Sequence, residues 1–147
     1  MAVRSPQTST EWLAYYRLRY EVLRQPWQQP LGSERVPEDE APTTVHAMCV
    51  MPNGAVAGVG MLQPARENKG QVRFMAVAPA WQGQGIGREL LVYLEEAAMQ
   101  LGYAEIILHA REAAVPFYQR QQYTIVAPSH TLFGSIPHFL MAKTFAR

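Results

Sequence analysis

Gln82-Gly83-Gln84-Gly85-Ile86-Gly87-Arg88 decides how this chain is read, and it sits at the centre of residues 71–101. Just before it, Val72-Arg73-Phe74-Met75-Ala76-Val77 is rich in β-branched and aromatic residues and is stopped by Pro79, which predicts a strand. Just after it, Leu90, Leu91, Leu94, Ala97, Ala98 and Leu101 recur every three or four positions, which predicts an amphipathic helix closed by Gly102. The unit is strand, glycine-rich turn, helix. Three glycines at alternate positions let the backbone approach a ligand, because no Cβ stands in front of the amides. A helix start leaves unpaired N–H groups and a partial positive charge, to which Arg88 adds a full one. The turn therefore suits an anion, with pyrophosphate the natural candidate.

Two common phosphate loops fail against these letters. A Walker loop needs Gly-Lys-Ser or Gly-Lys-Thr where the chain has Gly87-Arg88-Glu89, and the dinucleotide fingerprint needs a third glycine where Arg88 stands. Gln82, Gly85 and Gly87, after a strand ending in Ala-Val-x-Pro, instead resemble the Gln/Arg-x-x-Gly-x-Gly/Ala signature of the GNAT N-acetyltransferase superfamily. Arg111-Glu112-Ala113-Ala114-Val115-Pro116-Phe117-Tyr118 resembles the second signature of that family, Asn-x-x-Ala-x-x-Phe-Tyr, with Arg111 in place of the asparagine and Gln122 in place of a later glycine. Residues 15–26 and 29–35, with Arg73-Phe74-Met75-Ala76-Val77, Ala110-Arg111-Glu112 and His138-Phe139-Leu140-Met141, look like the amino-terminal GNAT domain of a bacterial protein that carries a thioesterase-like hotdog domain behind it.

The resemblance implies acetyl-CoA as co-substrate, its pyrophosphate on the backbone of Gln82, Gly83, Gln84, Gly85, Ile86, Gly87 and Arg88. It implies main-chain contacts from Met75, Ala76 and Val77 to the pantetheine, and packing of Arg111, Ala114 and Phe117 against the coenzyme arm. A bulge near Met75 would splay the strands to admit it. It places the Tyr118 hydroxyl at the thioester sulfur and implies an acceptor pocket drawn from Arg17, Arg24, Gln25, Ser33, Glu34 and Arg73.

Tyrosine has an unperturbed pKa of about 10, so Tyr118 is protonated at neutral pH and able to give a proton to a departing thiolate. The acceptor is expected to be a primary amine. A lysine-like amine at pH 7 lies about 3.4 units below its pKa, roughly 4.6 kcal/mol from the free base, so a base or a water path is needed. Many family members carry a glutamate on the strand before the loop, but here that strand offers only Gln71 and Arg73. Glu21, Glu34, His46, His109 and His138 are the alternatives. His138 is favoured because Ile136-Pro137-His138 puts an imidazole on a late strand that borders the acceptor pocket in the family. A histidine in a strand is also often structural, so the base stays open. Cys49, the only cysteine, lies mid-strand among apolar residues, where a thiol is usually buried and inert, which favours direct transfer over an acyl-enzyme. Two other readings compete: a non-catalytic acyl-CoA-binding module, and an enzyme acting on carrier-bound or malonyl thioesters.

The remaining chain fits a single α/β GNAT domain over residues 1–147, with a mixed, mostly antiparallel sheet of six or seven strands. Thr8 with Glu11 forms a capping box for a first helix running to Leu23. Residues 25–41 are proline-rich and irregular, with a short helical turn near Ser33. Residues 45–51 and 55–62 read as a hairpin about Pro52-Asn53-Gly54, and Gly58 and Gly60 mark a weak point or bulge. Residues 104–109 should lie parallel to residues 72–77, reached by a right-handed crossover. Residues 111–121 form a second short helix, and residues 123–127 and 136–144 a closing hairpin.

A net charge of +1, with 17% charged residues, gives no basic surplus for nucleic acid. No apolar run reaches the 18 or so residues of a membrane span, and residues 1–6 hold no signal-peptide core, so a cytoplasmic location is expected. No metal is expected, and a homodimer is left open.

Overall fold

The computed structural model describes residues 1–145. Seven strands form one mixed sheet: β1 (Ala2–Arg4), β2 (Val45–Val50), β3 (Val56–Pro64), β4 (Lys69–Val77), β5 (Glu105–Arg111), β6 (Thr124–Leu132) and β7 (Ile136–Thr144). Their order across the sheet is β1-β2-β3-β4-β5-β7-β6. Only β4 and β5 are parallel neighbours; the other pairs are antiparallel.

Alternation along the strands splits the core into two layers. Ala47 and Cys49 on β2 face α2 (Ile86–Gln100), whose Leu90, Leu91 and Leu94 also pack on Leu62 and Ile106. Met48, Val59 and Ala76 face the other way, against Tyr15, Tyr16 and Leu18 of α1 (Ser9–Leu23). Gly58 lets α2 come close, since a Cβ there would stand 2.8 Å from Leu90 Cδ1. No helix among the described residues is long and apolar enough to cross a membrane.

Thr8 caps α1 as its sequence predicts: its Oγ1 accepts from the Glu11 amide at 3.1 Å. Glu11 accepts in turn from the Gln7 amide and pairs with the Arg4 guanidinium at 2.6 Å, tying the helix start to β1. That edge strand is absent from the sequence reading, because three residues carry no detectable alternation. A hydrogen-bonded turn forms near Ser33 as expected, with the Ser33 amide donating to the Pro30 carbonyl at 3.0 Å and the Arg35 amide to the Gly32 carbonyl at 3.2 Å. Single 3₁₀ turns flank it at Gln25–Trp27 and Pro37–Glu40, each opened by a proline at its first or second position. The second short helix is likewise a 3₁₀ turn, Glu112–Ala114, running into α3 (Val115–Arg120). The closing hairpin is longer than expected, since β6 runs on through Leu132 past two register irregularities.

One irregularity positions everything that follows. β4 and β5 pair only from Lys69–Glu105 to Val72–Leu108. Beyond that point β5 pairs with β7 alone, and β4 with β3 alone. On β4 the ladder runs from Arg73 opposite Met61 to Ala76 opposite Val59, so Phe74 and Met75 together face the single residue Gly60. This is the bulge expected near Met75, and it bends the strand away from β5. Phe74 takes φ 55°, the left-handed region, which costs a bulky residue roughly 1–3 kcal/mol unless its surroundings hold it.

Candidate active site

The gap between β4 and β5 opens into a cleft of about 310 Å³, at the small end of ligand-binding cavities. Its walls come from α1, the bulge, β5, α3 and the β6–β7 hairpin. At one end of the gap β4 runs into the glycine turn. Gly83 and Gly85 take φ +79° and +80°, a conformation that disfavours any side chain, and a Cβ at either would meet open space. The amides of residues 83–88 make no backbone hydrogen bond among the described residues, and the first bond of α2 is Glu89 N–H to the Gly85 carbonyl at 3.1 Å. Up to six donors thus stand at an exposed helix start, as an anion requires. Gly87 is fixed by packing instead, since a Cβ there would lie 3.3 Å from the Phe117 ring. Gln82 donates to the Val77 carbonyl at 3.2 Å, which links the turn to the strand and occupies one main-chain acceptor of that edge.

At the other end, Tyr118 on α3 is 7% exposed and lines the cleft. Its hydroxyl has no hydrogen-bond partner among the described residues, while its ring packs edge-on against Phe117 and Tyr123. Burial raises its pKa, opposed by Arg111, so the proton stays on the oxygen at neutral pH. His138 on β7 is 8% exposed and also lines the cleft. Its Nδ1–H donates to the Ile136 carbonyl at 2.9 Å, leaving Nε2 with the lone pair. Burial lowers its pKa, opposed by the hydrogen bond to the Ile136 carbonyl and helped by His130 and Arg111, which favours the neutral imidazole at neutral pH.

Two further imidazoles join it. His130 stacks on His138 at 4.6 Å between centroids and lies 5.4 Å from His109. Ser129 Oγ lies 2.6 Å from His109 Nδ1 and 3.0 Å from His130 Nδ1. Burial lowers the His109 pKa, with the two other histidines adding to the effect. His130 and the cleft residue Trp27 escape the sequence reading. The register that sets Thr131 opposite Pro137 brings Ser129 and His130 towards His138, and no local motif encodes that register. No group of three or more His, Cys, Asp or Glu among the described residues is arranged to hold a metal ion.

Of the residues expected around an acceptor, Arg24 and Arg73 line the cleft, as do Met75, Arg111 and Ala114 of the coenzyme set. Arg17 and Gln25 are exposed elsewhere. Ser33 donates to the Pro30 carbonyl at 2.6 Å, and Glu34 folds back to accept from the Gly32 amide at 2.8 Å, so both brace their own loop. Ala76 turns its methyl into the α1 layer. Glu21 is exposed on α1. His46 lies behind that helix, with Nε2–H donating to the Asp39 carbonyl at 3.0 Å and Nδ1 accepting from Tyr15. Cys49 is fully buried, and burial raises its thiol pKa.

A buried network holds the rear of the cleft. Arg19, fully buried, donates to Asp39 at 2.9 and 3.0 Å and to the Glu34 carbonyl at 3.1 Å, and so pins residues 34–39. Its Nε lacks a hydrogen-bond partner, while the guanidinium carbon sits 4.1 Å from the centroid of the Phe74 ring. Arg73 and Arg24 approach the same ring at 4.9 and 5.4 Å. Three cations therefore hold the side chain that the bulge displaces.

A splayed β4–β5 pair, a glycine turn with free amides and a tyrosine in the gap agree with what sequence comparison finds: the profile of the acetyltransferase (GNAT) family matches residues 12–123. The chain belongs to this family. Among curated GNAT relatives, an uncharacterized N-acetyltransferase, YjcF, of Bacillus subtilis (strain 168) is 31% identical over 78 residues, covering 53% of this chain and 56% of the relative. The glucosamine 6-phosphate N-acetyltransferase of Trypanosoma brucei brucei is 30% identical over 78 residues, covering 49% of this chain and 53% of the relative. The chain thus spans about half the length of the curated relatives it matches. An aminoglycoside 6′-N-acetyltransferase solved with coenzyme A superposes with TM-score 0.85 at 19% identity, covering 100% of this chain and 99% of that one. An acyl-CoA N-acyltransferase from Pseudomonas aeruginosa gives 0.82 at 23% identity, with 97% of each chain covered. These structural likenesses establish the GNAT fold, a seven-stranded mixed sheet with flanking helices, as the sequence predicts.

Proposed function

We propose that this GNAT protein is an N-acetyltransferase that moves the acetyl group of acetyl-CoA to a primary amine, by direct attack within one ternary complex. The observation that carries this reading is the β4–β5 gap. It connects unpaired amides at residues 83–88 to a cleft holding a protonated tyrosine and a neutral histidine. The turn would bind the pyrophosphate, and the free edge of β4 at Met75 and Val77 would hold the pantetheine arm. Ala114 and Phe117 would pack on that arm, while the Arg111 guanidinium turns to the cleft over the Trp27 ring.

In the reaction, His138 Nε2 takes a proton from the acceptor ammonium, and the free amine attacks the thioester carbonyl. The carbon–sulfur bond then breaks, the electron pair leaves on sulfur, the Tyr118 hydroxyl protonates it, and the remaining extra proton on the new amide nitrogen passes through water to the tyrosinate, restoring the hydroxyl. Cys49 takes no part, because its sulfur is sealed in the α2 layer with its thiol form favoured. The same reading places the reaction in the cytoplasm, where a lone unpaired cysteine is at home.

Calorimetry with acetyl-CoA, followed by detection of free thiol with an amine panel, tests the proposal. Binding should be lost in Gly85→Asp, which sets a carboxylate at the anion site, provided circular dichroism shows the fold retained. Equal coenzyme affinity in that folded variant would refute the role of the turn. Binding without thiol release on any amine would favour a non-catalytic module.

A further inference from the structure

The cleft wall is unusual in its charge. Arg24, Arg73 and Arg111 line it with three imidazoles, and no aspartate or glutamate lines it. Arg73 Nη1 donates to Gln63 Oε1 at 3.1 Å and lies 3.5 Å from Glu38 Oε1, where both charged groups are partly exposed. Arg24 gives Nε–H to the Ser33 carbonyl and one Nη1–H to the Leu23 carbonyl, and neither Arg24 nor Arg111 has a carboxylate partner among the described residues. Gathering like charges in a half-buried cleft is unfavourable: burial lowers the Arg24 pKa first, and Arg19 and Arg73 lower it further, opposed by Glu34. None of residues 77–88 lines the cleft, so these arginines stand apart from the turn that takes the coenzyme's phosphates. An amine acceptor that were merely cationic would be repelled here.

Resting on the transferase reading above, we infer that the acceptor is a small amine carrying its own oxyanion, a carboxylate or a phosphate, held by Arg73 and Arg111 with Arg24 behind them. Arginine suits the task, because its planar fork meets either oxyanion with paired hydrogen bonds. A cleft of about 310 Å³ suits a molecule of amino-acid or amino-sugar size. The anion would anchor the acceptor at the arginines and present the amine to His138, while partly offsetting the charge that opposes an ammonium.

The test uses matched amine pairs on the protein saturated with coenzyme A: amino acids against their amides, and amino-sugar phosphates against the free amino sugars. Affinity is measured by calorimetry, which needs no turnover, and kcat/KM is measured with acetyl-CoA by thiol release. The anionic member of at least one pair should bind about ten- to a hundredfold more tightly, the scale of one charge-assisted hydrogen bond. Which pair shows it separates carboxylate from phosphate. Arg73→Gln and Arg111→Gln, each checked for unchanged fold and coenzyme affinity, should erase the preference mainly through KM. Equal or weaker binding of every anionic member, or a preference that survives both variants, would overturn the inference. Malonyl-CoA converted to acetyl-CoA without amine, and blocked by Arg73→Gln, would also overturn it by placing the anion on the acyl group. Thiol release with neutral amines alone would defeat this inference and leave the transferase reading standing. Loss of coenzyme binding to the turn would defeat the transferase reading itself.

Discussion

Replacing Tyr118 by phenylalanine removes one oxygen and keeps the ring that packs on Phe117 and Tyr123. Because that oxygen has no partner among the described residues, no buried group is left unpaired, and stability should change by less than about 1 kcal/mol. The chemical cost is larger. General acid catalysis contributes about 10²- to 10⁴-fold, which at about 1.36 kcal/mol per tenfold is roughly 2.7–5.4 kcal/mol of barrier. The expected result is a fall in kcat of about 10²-fold or more, with coenzyme affinity by calorimetry within a few-fold of the parent. Steady-state thiol release with acetyl-CoA and the best amine measures the first quantity. The parent should also keep its rate up to about pH 10, because burial raises the tyrosine pKa above its ordinary value. A Tyr118→Phe enzyme with kcat within about threefold of the parent would refute the assignment of Tyr118 as the acid.

The pH–rate profile should carry an acid limb below about pH 6.5, since His138 must be neutral and its pKa is lowered. His138→Gln should remove that limb and lower kcat/KM about 10²-fold, and an unchanged limb would move the base elsewhere. Asp39→Ala strips the buried Arg19 of its counter-charge and should cost about 3–5 kcal/mol in denaturant unfolding. A loss under about 1 kcal/mol would show that the pair is dispensable. Burial also lowers the folded-state pKa of His46, so below about pH 6.5 the unfolded chain binds more protons. Its stabilising contribution is therefore full above that pH and fades as pH falls through the lowered folded value. Tm should drop between pH 7 and 5, with a shallower slope in His46→Gln. Cys49→Ala should retain turnover after a modest loss of stability, and an acylated Cys49 found by mass spectrometry would contradict direct transfer.

The glycine turn, the helix after it and the parallel neighbour were legible because each rests on local chemistry: residue spacing, a proline stop and glycines at a helix start. The bulge was legible from the family likeness, and Gly60, flagged for lacking a side chain, is the residue it faces. What escaped depends on register. Whether His130 meets His138 is decided by two irregularities in the β6–β7 ladder, which spacing alone does not specify. The charge of the cleft escaped because Arg24, Arg73 and Arg111, each named by the family likeness, are far apart in sequence and meet only in the folded cleft. Glu34 and Ser33 are pocket residues by the family likeness alone, yet their polar groups serve the turns of their own loop.

Phe74 gives the fold an unusual economy of parts. The ring that lines the cleft rests on Arg19, whose hydrogen bonds go to the Glu34 carbonyl, Asp39 and the Tyr15 hydroxyl. A substitution at Asp39 or Tyr15, which touch Arg19 from behind, would release the guanidinium and with it the left-handed backbone at Phe74. The Phe74 ring thus couples the cleft wall to the buried layer under α1. Directed evolution for heat resistance in that rear layer would alter substrate choice as a side effect, and selection for a new acceptor would draw mutations to positions that never meet it.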